Sequence, residues 1–306
     1  MRITVSGLLN VETTVAVRGF PINYYPIDYP FFGVNSAVSG VGYNIAKALH
    51  TLSDEVKLLS FIGCDDEGER VLGQLSRDGI SPDGISRTLR NTPTSAVLYD
   101  PDGRRQIYCD LKDIQEKRID PASVRQGIAS CDLAVICNIN FNRDLIIAAR
   151  EWGITTATDV HVLSDIEDAY NRDFMENADI LFLSDEKLPC APQDFLKRLY
   201  SRYRNRVIVL GMGARGAMLL DGASDKLYHL SACRDVKVVN TVGAGDALFS
   251  AFLHYYTKGF TPLEALKRAE VFAALKIGHN GASKGFSTEA EIEEQLSIKN
   301  ISVKEL

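Results

Sequence analysis

At 306 residues, with a hydrophobic share of 45% and a charged share of 24%, the chain has the composition of an ordinary globular protein and the length for one large α/β domain or two smaller ones. Lys+Arg 34 against Asp+Glu 40 leaves a formal net charge of -6, which argues against a broad nucleic-acid footprint. No run approaches a membrane-spanning length, and MRITVSGLLN reads as a first strand rather than a signal peptide. Six cysteines without a C-x-x-C pair read as reduced, mostly packed thiols of a cytoplasmic protein rather than as disulfides. The five histidines form no H-x-x-x-H, so zinc is not expected and each histidine reads as structural or superficial.

From the N-terminus, RITVSG, VKLLSFIG, DLAVICN, TTATDV, DILFLS and RVIVLG are short β-prone runs. Most are separated by stretches of helical periodicity such as NIAKALHTL, ERVLGQLSRDG and RDLIIAAREWG. This alternation predicts βαβ units, hence a doubly wound α/β fold with a mainly parallel sheet and helices on both faces. Two segments break the rhythm. Residues from about 11 to 37 carry repeated proline and aromatic residues, and residues from about 92 to 112 hold two alternating runs around Pro101-Asp102-Gly103. The second reads as a β-hairpin and the first as extended chain interrupted by proline. Together they make either a small β lid over a site or two surface excursions with no such role. Beyond Gly243 the chain is mainly helical, and no repeat or linker divides 1–306 into independent domains.

LGMGARGAMLL sets Gly211, Gly213 and Gly216 in a literal G-x-G-x-x-G after the strand-like RVIVL. A dinucleotide site needs a helix next and an acidic residue about 20 positions on. AMLLDG reads instead as another strand, so these glycines belong to a turn between neighbouring strands. No G-x-x-x-x-G-K-[ST] is present, so a bound nucleotide is not held by a P-loop. VVNTVGAGDALFSAFLHYY, Val238 to Tyr256, predicts a strand, a tight turn and a helix whose first turn contains Gly243, Ala244, Gly245 and Asp246. Such a start presents unpaired N–H groups to an anion and one carboxylate able to take a proton. An Asp that only stabilises a helix start has the same local pattern.

Several motifs in the same order resemble the ribokinase or PfkB family of sugar and nucleoside kinases, over nearly the whole chain. The family's D-T-x-G-A-G-D is similar to Asn240-Thr241-Val242-Gly243-Ala244-Gly245-Asp246, and its G-G-x-x-x-N to Ser39-Gly40-Val41-Gly42-Tyr43-Asn44. Gly7-Leu8-Leu9-Asn10-Val11-Glu12 resembles the G-x-x-N-x-D that contacts the sugar, and FIGCDDEGERVLGQL the V-G-x-D-x-x-G segment. The resemblance implies a ribokinase-like fold with a small β lid and a kinase that uses ATP and Mg2+. It implies Asp246 as catalytic base, and Gly243, Ala244 and Gly245 with the Asp246 backbone as anion hole. It further implies Asn10, Glu12, Gly40, Gly42 and Asn44 at the acceptor's hydroxyls, with Gly211, Gly213, Gly216, Ser184 and Asn280 on the nucleotide side. Without the resemblance, Asn10, Glu12 and Asn44 read as ordinary capping or turn residues.

The departures are specific. Asn240 replaces the first Asp of the signature, which weakens the case for the monovalent-cation site that some members have there. The N-x-x-E element of the magnesium–phosphate network stands as Ser184-Asp185-Glu186-Lys187. Its metal role passes to Asp185, Glu186 or Asp159, or the first two are simply solvated charges. Ser39 stands in place of a first glycine, and Val41 stands where ribokinase has a lysine. The resulting expectation is phosphorylation of a hydroxymethyl group on a small sugar. A nucleoside kinase is the alternative, since Gly40 to Asn44 and Cys137-Asn138-Ile139-Asn140 are similar to segments of bacterial pseudouridine kinases and Tyr24, Tyr25 and Tyr29 offer faces for a base. A non-catalytic binding protein on the same fold is the third reading. The aromatic lid also suits a homodimer interface.

Overall fold

Every β-prone run named above is a strand, because each supplies apolar side chains to the layers on both sides of one sheet. The computed structural model describes residues 1–234 and 236–306. In chain order its elements begin β1 (Arg2–Ser6), β2 (Asn10–Ala16), β3 (Val34–Ser39), α1 (Val41–Thr51), β4 (Glu55–Gly63), α2 (Asp66–Arg77) and β5 (Ile85–Leu89). The middle holds β6 (Thr94–Tyr99), β7 (Arg105–Asp110), α3 (Pro121–Ala129), β8 (Leu133–Ile136), α4 (Arg143–Glu151), β9 (Thr156–Val162), α5 (Arg172–Asn177) and β10 (Ile180–Ser184). The last third holds α6 (Pro192–Tyr203), β11 (Val207–Gly211), β12 (Ala217–Asp221), β13 (Lys226–Leu230), α7 (Ala244–Thr257), α8 (Pro262–Lys276), α9 (Glu289–Ile298) and β14 (Val303–Glu305).

The large sheet has the order β14-β13-β12-β11-β10-β9-β8-β1-β4-β5. It is parallel from β11 to β5 and antiparallel from β12 to β14. Strand residues alternate between its faces: Leu133, Val135, Val207 and Val209 pack toward α1, α7 and α8, while Ala134, Ile136, Ile208 and Leu210 pack toward α4 and α6. This is the period-two division expected of a sheet covered on both sides. Because the chain builds outward from β1 in both directions, the order reverses between β1 and β8. Ligands of open α/β sheets bind at such a switch point, outside the carboxyl ends of the strands.

The two irregular excursions join in a four-stranded sheet of order β3-β2-β6-β7. Their pairing is antiparallel except between β2 and β6. Asp65 caps α2 by accepting from the Gly68 N–H at 3.0 Å, and its other oxygen takes the Thr92 N–H at 2.7 Å. One carboxylate thus ties the start of a core helix to the strand that enters the small sheet. Tyr24, Phe31 and Phe32 stand out from this region at 87%, 85% and 100% exposure, and Phe31 stacks on Tyr29 with ring centroids 6.3 Å apart.

Gly211, Gly213 and Gly216 occupy the turn between β11 and antiparallel β12, as the strand-like AMLLDG predicts. A second local expectation is corrected. Val238 and Val239 are not a strand: the N–H groups of Val239 and Asn240 donate to the Ile277 carbonyl at 2.8 and 3.1 Å. Their backbone is satisfied by the end of α8 rather than by a neighbouring strand, and their β-branched side chains stay exposed.

Helix α7 buries side chains all round, from Ala247 to Tyr255, between α8, α1 and the sheet. Phe182 of β10 meets it directly, with ring centroids 4.7 Å from Phe249 and 5.2 Å from Phe252. Phe182→Ala should therefore destabilise the protein by about 3–5 kcal/mol, the range for a large side chain lost from a packed core. Urea unfolding checks this, and a loss under about 1 kcal/mol would mean that α7 is anchored elsewhere.

Candidate active site

Two helix starts meet over the carboxyl edge of the large sheet. The first is α1, whose N-cap Gly40 has φ 106. A Cβ on Gly40 would lie 2.4 Å from the Leu8 carbonyl oxygen, and one on Gly42 would lie 2.6 Å from the Gly7 carbonyl carbon. These glycines let α1 seat directly on the corner that follows β1, where the Gly42 N–H reaches the Leu8 carbonyl at 3.1 Å. The contact carries Asn44, in the first turn of α1, to the second helix start.

That second start is α7, capped by Gly243 at φ 80 with no side-chain capping bond. A Cβ on Gly243 would lie 2.4 Å from the Ala282 carbonyl oxygen, whereas one on Gly245 would meet nothing within 4 Å. The Ala244 N–H turns back to the Thr241 carbonyl at 3.2 Å. The N–H groups of Gly245 and Asp246 remain at the open end of α7, the arrangement that receives an anion.

Asn44 Nδ2 donates to Asp246 Oδ2 at 2.7 Å. Burial holds the Asp246 carboxyl above its ordinary value of 3.8 and Asp159 adds repulsion, while Asn44, His161 and Lys276 oppose the shift. Glu12 is raised as well, by burial first and Asp246 second. On the acceptor side, Asn10 Nδ2 donates to Ser95 Oγ at 2.9 Å, which leaves its Oδ1 buried without a partner. Asn44 Oδ1 is orphaned in the same way. Two buried acceptors with no donor, beside two carboxylates, suit a ligand that brings hydroxyl groups.

The nucleotide-side residues spread along the same edge. Ser184 ends β10 and Gly211 ends β11, directly paired in register. Gly213 is exposed, with open space where a Cβ would stand, and Asn280 lies exposed between α8 and α9. The three candidate metal carboxylates do not converge. Asp185 is ion-paired with Arg215, and Glu186 is exposed, 3.9 Å from Arg105 of β7. Asp159 accepts from its neighbour's backbone, the His161 N–H, at 2.7 Å. Among the described residues no group of three or more His, Cys, Asp and Glu forms a metal cage. This donor set fits Mg2+ brought in by phosphates, which needs only one or two protein carboxylates and keeps several waters. Asp159 lies within electrostatic reach of Asp246.

Sequence reasoning missed two basic groups here. His161, at φ 58 after Asp159, is raised by the Asp159 carboxylate against its burial, with Asp246 acting in the same direction. Lys276, the last residue of α8, is fully buried and donates from Nζ to the Val242 carbonyl. No motif marks either one. An acidic residue two positions before His161 was the single available hint. Asn138 and Asn140, by contrast, spend their amide donors on Asn171 and on the Gln115 carbonyl.

A family profile described as pfkB family carbohydrate kinase matches residues 5–289 of this chain. Among curated proteins, an acarbose 7(IV)-phosphotransferase of an Actinoplanes species is 26% identical over 87% of this chain and 88% of its own length. The ribokinase of Schizosaccharomyces pombe is 22% identical over 98% and 99%. Among solved structures, a microbiome-derived acarbose kinase superposes with a TM-score of 0.85 at 25% identity, covering 96% of this chain and 98% of that one. A Burkholderia thailandensis nucleoside kinase in complex with inosine shares the fold, with a TM-score of 0.80 at 18% identity over 97% of both chains.

Gly243 leaves little freedom for a side chain. Gly243→Ala should cost at least about 1–2 kcal/mol, because a left-handed backbone is imposed on a residue with a Cβ and that Cβ meets a backbone oxygen. Thermal unfolding reads the loss. An alanine variant as stable as the parent would show that the loop rearranges freely.

Proposed function

Because the chain belongs to the pfkB family of carbohydrate kinases, we propose that it transfers the γ-phosphoryl group of ATP to a primary hydroxyl of a small sugar. The observation that carries this reading is the raised Asp246 carboxyl, held by Asn44 at the open N-terminus of α7. Bound ATP supplies the phosphoryl group, and Mg2+ offsets the charge on its phosphates.

The rest is the work of this chain's residues. Asn10 and Asn44 take hydroxyl donors of the acceptor on their orphaned oxygens, and Glu12 takes a further one. This orients one hydroxymethyl group toward Asp246. Asp246 accepts the proton as that oxygen attacks, a transfer that works best with a base whose affinity for protons lies above the ordinary carboxylate range. The Gly245 and Asp246 N–H groups and the positive end of α7 face the negative charge on the group in transfer. The small sheet, which supplies Glu12 from β2, keeps water from competing with the acceptor.

Asp246→Asn should lower turnover by roughly 10²–10⁴-fold while ATP still binds. A carboxyl raised in the folded state costs stability at every pH above the ordinary carboxylate range, since the unfolded chain ionises more easily. The same variant should therefore melt at a higher temperature at neutral pH. Activity of the unaltered enzyme should fall on acidification at a pH above the usual 3.8 of Asp. Near-normal turnover in the Asn variant would remove Asp246 from the role of base.

The acceptor class is decided by coupled ADP release across pentoses, hexoses, oligosaccharides and nucleosides. A free sugar should be phosphorylated, and Glu12→Gln should raise its KM by at least about tenfold with little change for ATP, because a buried hydroxyl contact is lost. If every sugar fails and a nucleoside reacts, the exposed Tyr24, Tyr25 and Tyr29 become base-stacking faces, each worth about 1–3 kcal/mol.

A further inference from the structure

The loop that launches α7 rests on the end of α8. Val239 and Asn240 donate to the Ile277 carbonyl, and the Val242 N–H is turned inward onto Asn240 Oδ1 at 2.8 Å. This directs the Val242 carbonyl toward Lys276, whose Nζ donates to it. Lys276 is 0% exposed, an extreme position for an ammonium with one protein hydrogen bond among the described residues. Three charged groups face it from the surrounding elements: Asp246 of α7 and Glu12 of β2, which favour its charge, and Arg105 of β7, which opposes it. The C-terminal end of α8 also favours a cation at this point.

We propose that Lys276 is a positioning residue that supplies the anion-hole loop with a built-in monovalent cation, so that this enzyme needs no dissociable potassium or ammonium ion to hold Val242, Gly243 and Asp246 in working geometry. The inference rests on the kinase reading given above. Without the ammonium, the Val242 carbonyl loses its donor, and the Asp246 and Glu12 carboxylates lose the positive charge that offsets them. A carbonyl oxygen left without a donor in net-negative surroundings is the chemistry that takes a hard cation from solution. The tether makes that binding unimolecular: the cation is present at every ionic strength, and it is lost only by deprotonation. Burial pushes the Lys276 ammonium down to about 8. The lysine is charged below that value and loses its charge as pH rises through it, so turnover of the unaltered enzyme should decline on the alkaline side from about pH 8.

The test compares the unaltered protein with Lys276→Met and Lys276→Gln in potassium, ammonium and tetramethylammonium chloride at equal ionic strength. Turnover of the unaltered enzyme should be the same in all three salts. In the variants kcat should fall by about 10²-fold with both KM values within about threefold, the pattern of a lost transition-state arrangement. Potassium or ammonium should restore at least about tenfold, and tetramethylammonium, too large for the space, should restore nothing. The alkaline limb near pH 8 should vanish from the variants. A readout independent of any acceptor is thermal unfolding: potassium should raise the melting temperature of the variants relative to tetramethylammonium and leave that of the unaltered protein unchanged. If no sugar is phosphorylated but the cation-specific melting shift is present, the cation assignment stands and the acceptor reading fails. Potassium activation of the unaltered enzyme by more than about fivefold would overturn the assignment even if neither variant folds. Folded variants that show no cation-specific shift in melting and no cation-specific rescue would overturn it as well.

Discussion

One hydrogen bond, from Asn44 Nδ2 to Asp246 Oδ2 at 2.7 Å, joins residues 202 positions apart and sets the geometry of everything around it. It can form only because two helices start at the same place. Helix α1 is brought there by the missing side chains of Gly40 and Gly42, which let it seat on the corner after β1. Helix α7 is brought there by Gly243, wedged against the Ala282 carbonyl, and is held down by packing on every side. Both helices therefore point their positive ends at one point on the carboxyl edge of the sheet, where the strand order reverses.

That convergence has a cost, and the distribution of charge shows where it falls. Asp246 and Glu12 are acids raised by burial, with Asp159 adding to the first and Asp246 to the second. Lys276 is a base lowered by burial, though the same two acids partly offset this. Each group would be more stably ionised in the unfolded chain, so the site destabilises the fold that carries it. Packing elsewhere offsets the strain. The core on one face of the sheet runs unbroken from β1 through α1, α7 and α8, and the aromatic contacts of Phe182 join the sheet to α7.

The small sheet has a different character. Its outer aromatic residues are exposed, and α2 ties it to the core through Asp65 and through Arg70, which bonds Ser36 of β3. It carries Glu12 on β2 and brings Arg105 to within 3.9 Å of Glu186. In the reading proposed above, this one element would touch both the acceptor and the nucleotide. The Asp185 and Glu186 carboxylates, engaged by Arg215 and Arg105, are in turn part of that electrostatic border rather than a preformed metal cage.

The sequence by itself determined the layers of the fold, since β-prone runs alternating with 3.6-period stretches admit few arrangements other than a covered parallel sheet. It also marked Asp246 and the glycines of the α7 start, whose residue types follow from local backbone geometry and chemistry, whereas Asn10, Glu12, Gly40, Gly42 and Asn44 were marked only through the resemblance to the family's motifs. Local pattern failed at Val238 and Val239, whose β-branched side chains signal a strand that has no neighbour to pair with. Lys276 carries no local signal, and His161 only the aspartate two positions before it. A lysine ending an amphipathic helix and a histidine following a strand aspartate look the same whether they face water or a carboxylate. Only tertiary structure decides that, because burial and opposing charge depend on which distant segments close over the side chain. Here those are the loop before α7 for Lys276 and Asp246 for His161.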